Sequence, residues 1–589
     1  MKDYANIKSQ LDALKVKTYE KIFYEKVIKD EKIIPKVTPF KGINIDTLLI
    51  KENKILFIKF MDTSEDLFLL LEEELLEVMY DEYLLLESKI DKHFKNISYN
   101  YIFVMPNVDI YNNYEFDDFI YNNIVDKKGL ADIIEGKKSI DFYLKNKNND
   151  IDLNMFLFNI CPEYYFLTNK QIFNNDFKKI NFYSEDYNYN ANILDKKQII
   201  DIASINYNNT VFEGGCGVGK TTTMISKAIK LSRIYPHHKF LILTDTKQKC
   251  NQLREYLSIL YNENNNIGIY TYSSFIIMLA KRFNLLLDYR ILNKYYDKTI
   301  KNLTKQAKNL IKNKNIFKGI FIDNIENFSS YEVDFIREFL YKNKFIFNVF
   351  YSKCKDMSSN LNIFKSISYD NFEKVILDRN YRQSYEVANF LERFSRNSNQ
   401  YIKKLRPDIE NIFYEVDINQ KENISVNIVN TDDFEEQIKS IIWEIEYLIK
   451  DKGFKEYDIC IIYPYNKRKL KNGKNIYFQY MLKKELENNN IKYIQSQDSL
   501  TNFTNKQALT ISNLYNLGDL EYKACIICEL EMLYNQTIDK SKQDYQISDF
   551  VGDLYKVYTS LSKASDFISI ITTFDENTSD IIRLLKSSI

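Results

Sequence analysis

Along much of this chain, short apolar runs precede longer stretches in which apolar positions recur every three or four residues, the pattern of a strand followed by a helix. The run "TVF" (210–212) predicts a strand, and "TTTMISKAIKLSRIY" (221–235) predicts a helix. The same succession opens "FLILTDTKQKCNQLREYL" (240–257) and returns in "DICIIYP" (458–464) followed by "YFQYMLKKELENN" (477–489). Nearer the amino end the order differs: "KTYEKIFYEKVI" (17–28), "FKGINIDTLLIKENKILFIKFMD" (40–62), a long Leu/Glu helix, then "YNYIFVMPN" (99–107). Strands alternating with helices predict an α/β fold.

With 589 residues, 45% of them hydrophobic, the chain is too long for one core, and three or four domains are expected. Acidic and basic residues balance at 81 each, so a nucleic-acid surface has to come from local clustering. The start "MKDYANIKSQLDALKVK" lacks a signal-peptide core and no apolar run is long enough for a bilayer, so a cytoplasmic protein is expected. Seven cysteines spread over this length do not make a disulfide framework, and His93, His237 and His238 cannot supply several metal sites. Cys525 and Cys528 form a CxxC within an apolar strand pattern. Residues three apart on a strand face opposite ways, so they are expected to be buried and structural. The stretches "KNKNND" (145–150) and "NENNNIG" (262–268) are expected loops. The abundance of Tyr (46) and Phe (40) weakens any argument from aromatic richness alone.

Glycine is rare, at 13 residues, yet four of them, Gly214, Gly215, Gly217 and Gly219, fall within six positions of "VFEGGCGVGKTTTM". The spacing is GxxxxGK[ST] between a predicted strand and a predicted helix, the order of a phosphate-binding P-loop. Backbone N–H groups at the helix's positive end would surround phosphates. Lys220 would reach the β/γ phosphates and Thr221, followed by Thr222, would ligate Mg²⁺. In "FKGIFIDNIENF" (317–328) an apolar run delivers Asp323 to a strand end, a second position for Mg²⁺. ATP and Mg²⁺ are the expected cofactors.

Other segments then fall into the order of superfamily I helicases of the UvrD/Rep type, which the chain resembles over residues 193–589. "LDKKQIIDIA" resembles the Q motif, implying that Gln198 reads adenine. "FLILTDTKQKCNQLREYL" resembles motif Ia, with Thr244 and Thr246 as nucleic-acid contacts, and "IYTYSSF" the following motif, with Thr271, Tyr272 and Phe275 placed to touch phosphate or stack on a base. "VILDRNYRQSYEVANFL" resembles motif IV, making Arg382 a γ-phosphate contact. "ALTISNLYNLGDLEYKACIIC" resembles motif V, retaining Leu520, Glu521 and Tyr522 with Asp519 at a glycine's place, and "VYTSLSKASDFISII" resembles motif VI, with Ser562, Lys563 and Ala564 at its Thr-Arg-Ala. The resemblance implies two RecA-like P-loop NTPase domains, residues 193–370 and 371–589, ATP-Mg binding with Glu521 among the nucleotide contacts, and single-stranded DNA as partner. Short gaps between motifs leave little room for inserted subdomains.

Residues 1–145 resemble the nuclease-related (NERD) domain, of restriction-endonuclease type, with residues 146–192 as connector. The resemblance implies a metal site of helix Glu, strand Asp and Glu-x-Lys, matched by Glu20, Asp46 and Lys59. Phe57 stands where the Glu of Glu-x-Lys belongs, and cleavage is not expected.

The part that resembles a helicase departs from that family's pattern too. Motif II runs Asp-Glu-x-Gln there, but here it runs Asp323, Asn324, Ile325, Glu326, so the carboxylate that orients attacking water is lost unless Glu326 swings in. General-base catalysis is worth about 10²- to 10⁴-fold. "FYSKCKD" (350–356) lacks the Asp and Gln of motif III, and Lys563 lacks the planar fork of the motif VI arginine. Three readings stay open: a working helicase that uses Glu326 and Lys563, a nucleotide-dependent nucleic-acid switch with impaired hydrolysis, and a helicase-directed nuclease.

Overall fold

The computed structural model describes residues 14, 16–27, 32–51, 54–94, 97–110, 117–145, 153–169, 180–181, 189–204, 209–261, 266–285, 289–311, 316–340, 346–352, 372–407, 411, 413, 417–418, 426–465, 468–469, 475–495, 508–514, 521–539, 541–542 and 544–589. The expected loop residues 146–150 and 262–265, most of "FYSKCKD", and Asp519 and Leu520 lie outside them.

Near the amino end, β1 (Lys32–Phe40), β2 (Ile43–Lys51) and β3 (Lys54–Phe60) form an antiparallel meander, which β4 (Tyr99–Val104) and β5 (Ile124–Val125) extend in parallel. Side chains alternate across this sheet, so each face needs its own cover. Helix Thr18–Val27 brings Phe23 and Tyr24 onto Leu49, Leu56 and Ile58. On the other face the long helix Glu72–His93 brings Leu76, Met79, Leu86 and Ile90 into the cluster of Leu48, Phe57 and Tyr101.

Two larger sheets follow a small antiparallel one of β6 (Tyr165–Asn169), β7 (Ile180–Asn181) and β8 (Tyr189–Ile193). The first contains β9 (Thr210–Gly214), β10 (Phe240–Thr244), β11 (Ile267–Thr271), β12 (Gly319–Ile322), β13 (Ile346–Tyr351) and β14 (Glu373–Leu377), all parallel, in the order β11-β10-β12-β13-β9-β14. The four inner strands β9, β10, β12 and β13 are buried along their whole length, which is why "FLIL" and "GIFI" are unbroken apolar runs rather than alternating ones, while the edge strands β11 and β14 are partly exposed.

A short parallel pair, β15 (Arg379–Asn380) with β16 (Asp417–Ile418), leads to the second large sheet. Its members are β17 (Val426–Asn430), β18 (Ile459–Tyr463), β21 (Tyr493–Gln495), β22 (Leu509–Asn513), β23 (Tyr522–Cys528) and β24 (Ala564–Thr572), with the two-residue strands β19 (Arg468–Lys469) and β20 (Asn475–Ile476) paired apart from it. The order β17-β24-β23-β18-β22-β21 is again parallel throughout. Cys525 and Cys528 are wholly buried in different clusters on opposite faces of β23, as their spacing predicts.

One continuous core joins the amino-terminal sheet to the first parallel sheet. It runs through Phe156, Leu157, Ile160, Tyr164 and Tyr165 to Met224, Ala228 and Leu231 on helix Lys220–Ile234. Residues 156–158 and 160–165 of the expected connector are therefore packed interior. Polar bonds reinforce it: Tyr164 Oη donates to the carbonyls of Pro35 (2.9 Å) and Lys36 (3.0 Å). Lys230 and Arg233, both 1% exposed on helix Lys220–Ile234, converge on fully buried Glu163 at 3.5 and 3.3 Å. No helix among the described residues is long and apolar enough to cross a membrane.

Candidate nucleotide-binding site

β9 ends at Gly214, and helix Lys220–Ile234 begins after Gly219, its capping residue. Gly217 and Gly219 have φ of 77° and 78°, the left-handed region that glycine enters without steric cost. These two residues reverse the strand into a helix within five positions, and Thr221 and Thr222 lie on the first turn. The Lys220 ammonium turns back into the loop and donates to the carbonyls of Gly214 (2.9 Å) and Gly215 (2.5 Å).

Gln198 is buried on helix Lys196–Ala203, its side-chain amide pressed against Gly219 so closely that a Cβ there would overlap it. The capping residue Asp195 fixes this helix by accepting from Gln198 N (2.9 Å). Its other carboxylate oxygen accepts from Arg379 (3.0 Å) and the Tyr381 hydroxyl (2.8 Å). Tyr381 N donates to Gly217 O (3.0 Å), and the Asn380 side chain accepts from Arg382 N and Gln383 N (3.0 and 3.2 Å). Residues 379–383 thus brace the back of the glycine loop. Sequence reasoning picked Gln198 and Arg382 but missed Asp195, Asn380 and Tyr381. Asp195 had a readable signal, an aspartate just ahead of a helical pattern and three residues before Gln198.

Behind Gln198, the Asp201 carboxylate is mostly buried, and its Oδ2 has no hydrogen-bond partner among the described residues. Burial pushes its pKa up from 3.8 to about 6, against the pull of Lys227, which burial pushes down to about 8. A carboxyl whose folded pKa lies above its unfolded one takes up a proton on folding in that window, so its contribution to stability falls as pH rises from about 4 to about 6. Asp201→Asn removes the titration and keeps the shape. In urea unfolding the variant is expected to match the parent near pH 4 and exceed it by about 1–2 kcal/mol at pH 7.

At the end of β12, Asp323 is buried and its N–H bonds the Leu243 carbonyl (2.9 Å). Asn324 turns the chain at φ 50°, and Glu326 is buried in the single turn Ile325–Asn327. Asp323 Oδ2 lies 3.4 Å from Thr221 Oγ1, so the two expected Mg²⁺ ligands do meet. Between them stands a group that sequence reasoning missed: Lys249 Nζ is 3.1 Å from Thr221 Oγ1 and 3.1 Å from Asp323 Oδ2. Both side chains of this ion pair are buried, at 5% and 1% exposure. A magnesium ion takes oxygens at about 2.0–2.1 Å, and here it would be forced against an ammonium that already neutralises the carboxylate. Thr221 and Asp323 meet as the Mg²⁺ expectation requires, and Asp323 Oδ1 has no hydrogen-bond partner among the described residues, but an ion bound through Asp323 Oδ2 would have to displace the Lys249 ammonium.

Three of the expected nucleic-acid contacts are core residues. Thr244 is wholly buried. Tyr272 bonds Thr304 (3.2 Å) and packs edge-on against Tyr331 and Phe335, while fully buried Phe275 lies against Tyr270 and Phe317. Tyr272 and Phe275 are three apart on a helix and share its core-facing side. Thr246 and Thr271 instead cap helices Lys247–Leu260 and Tyr272–Arg282, accepting from Lys249 N (3.2 Å) and Ser274 N (3.3 Å). Both caps follow the carboxyl ends of the neighbouring strands β10 and β11.

Arg382 faces the second large sheet. Its guanidinium donates to the Ser562 carbonyl (3.0 Å) and pairs with Glu521, and Gln383 donates to the same carbonyl (2.8 Å). Glu521, expected at the nucleotide, is an arginine partner in this arrangement. Lys563 is buried, with its carbonyl accepting from Tyr522 N (3.0 Å). A Cβ at Gly217 would lie 3.3 Å from that of Arg382, so the glycine loop and the segments carrying Glu521 and Ser562 meet across one arginine.

In the amino-terminal sheet a lysine again lies between carboxylates. Lys36 Nζ is 2.6 Å from Asp46 Oδ1 and 3.7 Å from Glu20 Oε2, and Asp46 Oδ2 accepts from Phe60 N (2.7 Å). Burial raises the Glu20 pKa against the pull of Lys36. Lys36 has φ 47°, unusual for a non-glycine residue, and its carbonyl accepts from Tyr164 and Lys230. Lys59, expected beside these acids, pairs with Glu82 at 2.6 Å, and Phe57 is fully buried against Tyr99 and Tyr101. Among the described residues, no three His, Cys, Asp or Glu side chains are grouped to hold a metal ion.

No family model matches the chain, and no curated protein matches it in sequence. Among solved structures it is similar to the C-terminal domain of a possible DNA helicase from Lactobacillus plantarum, at 13% identity and a TM-score of 0.21, covering 35% of this chain and 93% of that one.

Proposed function

We propose that this chain is a superfamily I helicase-like protein in which two RecA-like domains, on the sheets β9–β14 and β17–β24, hold a nucleoside triphosphate and grip single-stranded DNA, with hydrolysis impaired. The observation that carries the reading is the convergence of Gly214–Lys220, Gln198, Asp323, Arg382 and Glu521, distant in sequence, at one seam between the two parallel sheets. The strand order supports it. β9 and β12 flank β13, and the chain leaves β9 to add β10 on the far side of β12, so the carboxyl ends of these strands form the crevice in which open α/β sheets bind ligands.

An arriving triphosphate would take the Lys220 ammonium from the loop carbonyls and draw Arg382 from Glu521 to the terminal phosphate. That exchange would move the second domain, because Arg382 and Gln383 both hold Ser562. Thr246 and Thr271, at helix starts on one sheet edge, are placed for backbone phosphates. The amino-terminal unit keeps a nuclease-related fold as a binding or docking module. Asn324, with no carboxylate, is the observation favouring a switch over a motor.

The test measures ATP turnover with and without single-stranded DNA for the parent and Lys220→Ala, alongside nucleotide binding. The expected result is binding by the parent alone, with turnover within a few-fold of the variant. Fast DNA-stimulated turnover lost in the variant restores the motor reading, and a parent that binds no nucleotide ends both.

A further inference from the structure

We propose that Lys249 is the built-in cation of this site, and that the protein holds a nucleoside triphosphate in its metal-free form. The inference rests on the nucleotide-binding reading of the glycine loop and deepens it. Its basis is the buried bridge in which the Lys249 ammonium lies 3.1 Å from both the Thr221 hydroxyl and the Asp323 carboxylate.

The position of Lys249 in the chain makes the bridge more telling. It is the third residue of helix Lys247–Leu260, with its N–H on the capping Thr246. A positive charge in the first turn opposes the helix dipole, and burying an ammonium costs more unless it is paired. The helix dipole and the burial cost both disfavour lysine there, and Asp323 supplies the compensation. Asp323 itself would be an uncompensated buried carboxylate without either a metal or this ammonium.

The chemistry of the bridge separates two consequences. An ammonium offers three hydrogen-bond donors and one positive charge, so it can neutralise Asp323 and stand beside a phosphate. It supplies no coordination sphere to clamp two phosphate oxygens, as Mg²⁺ does.

The experiment titrates a fluorescent ATP analogue into the full chain in excess EDTA and again in Mg²⁺. The parent is expected to bind in EDTA at least as tightly as in Mg²⁺. Lys249→Ala is expected to lose roughly tenfold or more in EDTA, the weight of one charge-assisted hydrogen bond, and to recover in Mg²⁺, while Lys249→Arg stays close to the parent. Parent binding that collapses in EDTA and returns with Mg²⁺ overturns the proposal. The parent comparison decides even if Lys249→Ala fails to fold. Absence of parent binding in both buffers is a different failure, that of the glycine-loop reading itself.

Discussion

Glu163→Gln is expected to destabilise the chain by about 3–5 kcal/mol, the cost of breaking a buried ion pair by removing one partner. Glu163 is the carboxylate between Lys230 and Arg233, and all three side chains are at most 1% exposed. Glutamine fills the same volume but leaves two cations facing each other in a dry interior. Lys230 can shed its proton, since burial already lowers its pKa, whereas Arg233 cannot. The site lies where helix Lys220–Ile234 meets β1: Arg233 also bonds the Pro39 carbonyl and Lys230 the Lys36 carbonyl. A loss of this size is a large part of a domain's ordinary stability of about 5–15 kcal/mol. Guanidinium unfolding followed by tyrosine fluorescence should show a lower midpoint, and Lys230→Met in the same background should restore part of it by removing one stranded charge. A midpoint equal to the parent's would mean that the triad is not buried as described.

Gly219→Val is expected to abolish nucleotide binding while leaving the second parallel sheet folded. Gly219 sits at φ 78°, and a residue with a Cβ pays about 1–2 kcal/mol in that region, more when β-branched. The added Cβ would also overlap the buried Gln198 amide, so the variant must displace either the loop or the residue proposed to read the base. Calorimetric titration with a nucleoside triphosphate should fall below detection. Binding within a few-fold of the parent would show that the loop does not cradle the ligand.

Much of the part that carries the two parallel sheets could be read directly from the chain. Parallel strands buried on both faces must be continuously apolar, so "FLIL", "GIFI" and "CIIC" announce themselves. The glycine cluster is equally legible, because its left-handed turns tolerate almost nothing else. Tyr272 and Phe275 were misjudged because an aromatic ring serves a base stack and a hydrophobic core equally well, and only packing against Tyr331, Phe335 and Phe317 tells which. The part of the expected connector around Tyr164 proved to be interior for a related reason: its apolar side chains find partners only when β1 and helix Lys220–Ile234 are brought to them.

By itself the sequence determined the α/β alternation, the glycine loop with Lys220, and the absence of a carboxylate at Asn324. These are local properties, carried by adjacent residues and by backbone periodicity. Only the tertiary structure decided that Lys249, 28 positions beyond Thr221, and Lys36 would each come to rest among the carboxylates where a metal was expected. A lysine's long, flexible stem lets its charge settle several ångströms from its own backbone, wherever a buried acid most lowers the cost of enclosing it.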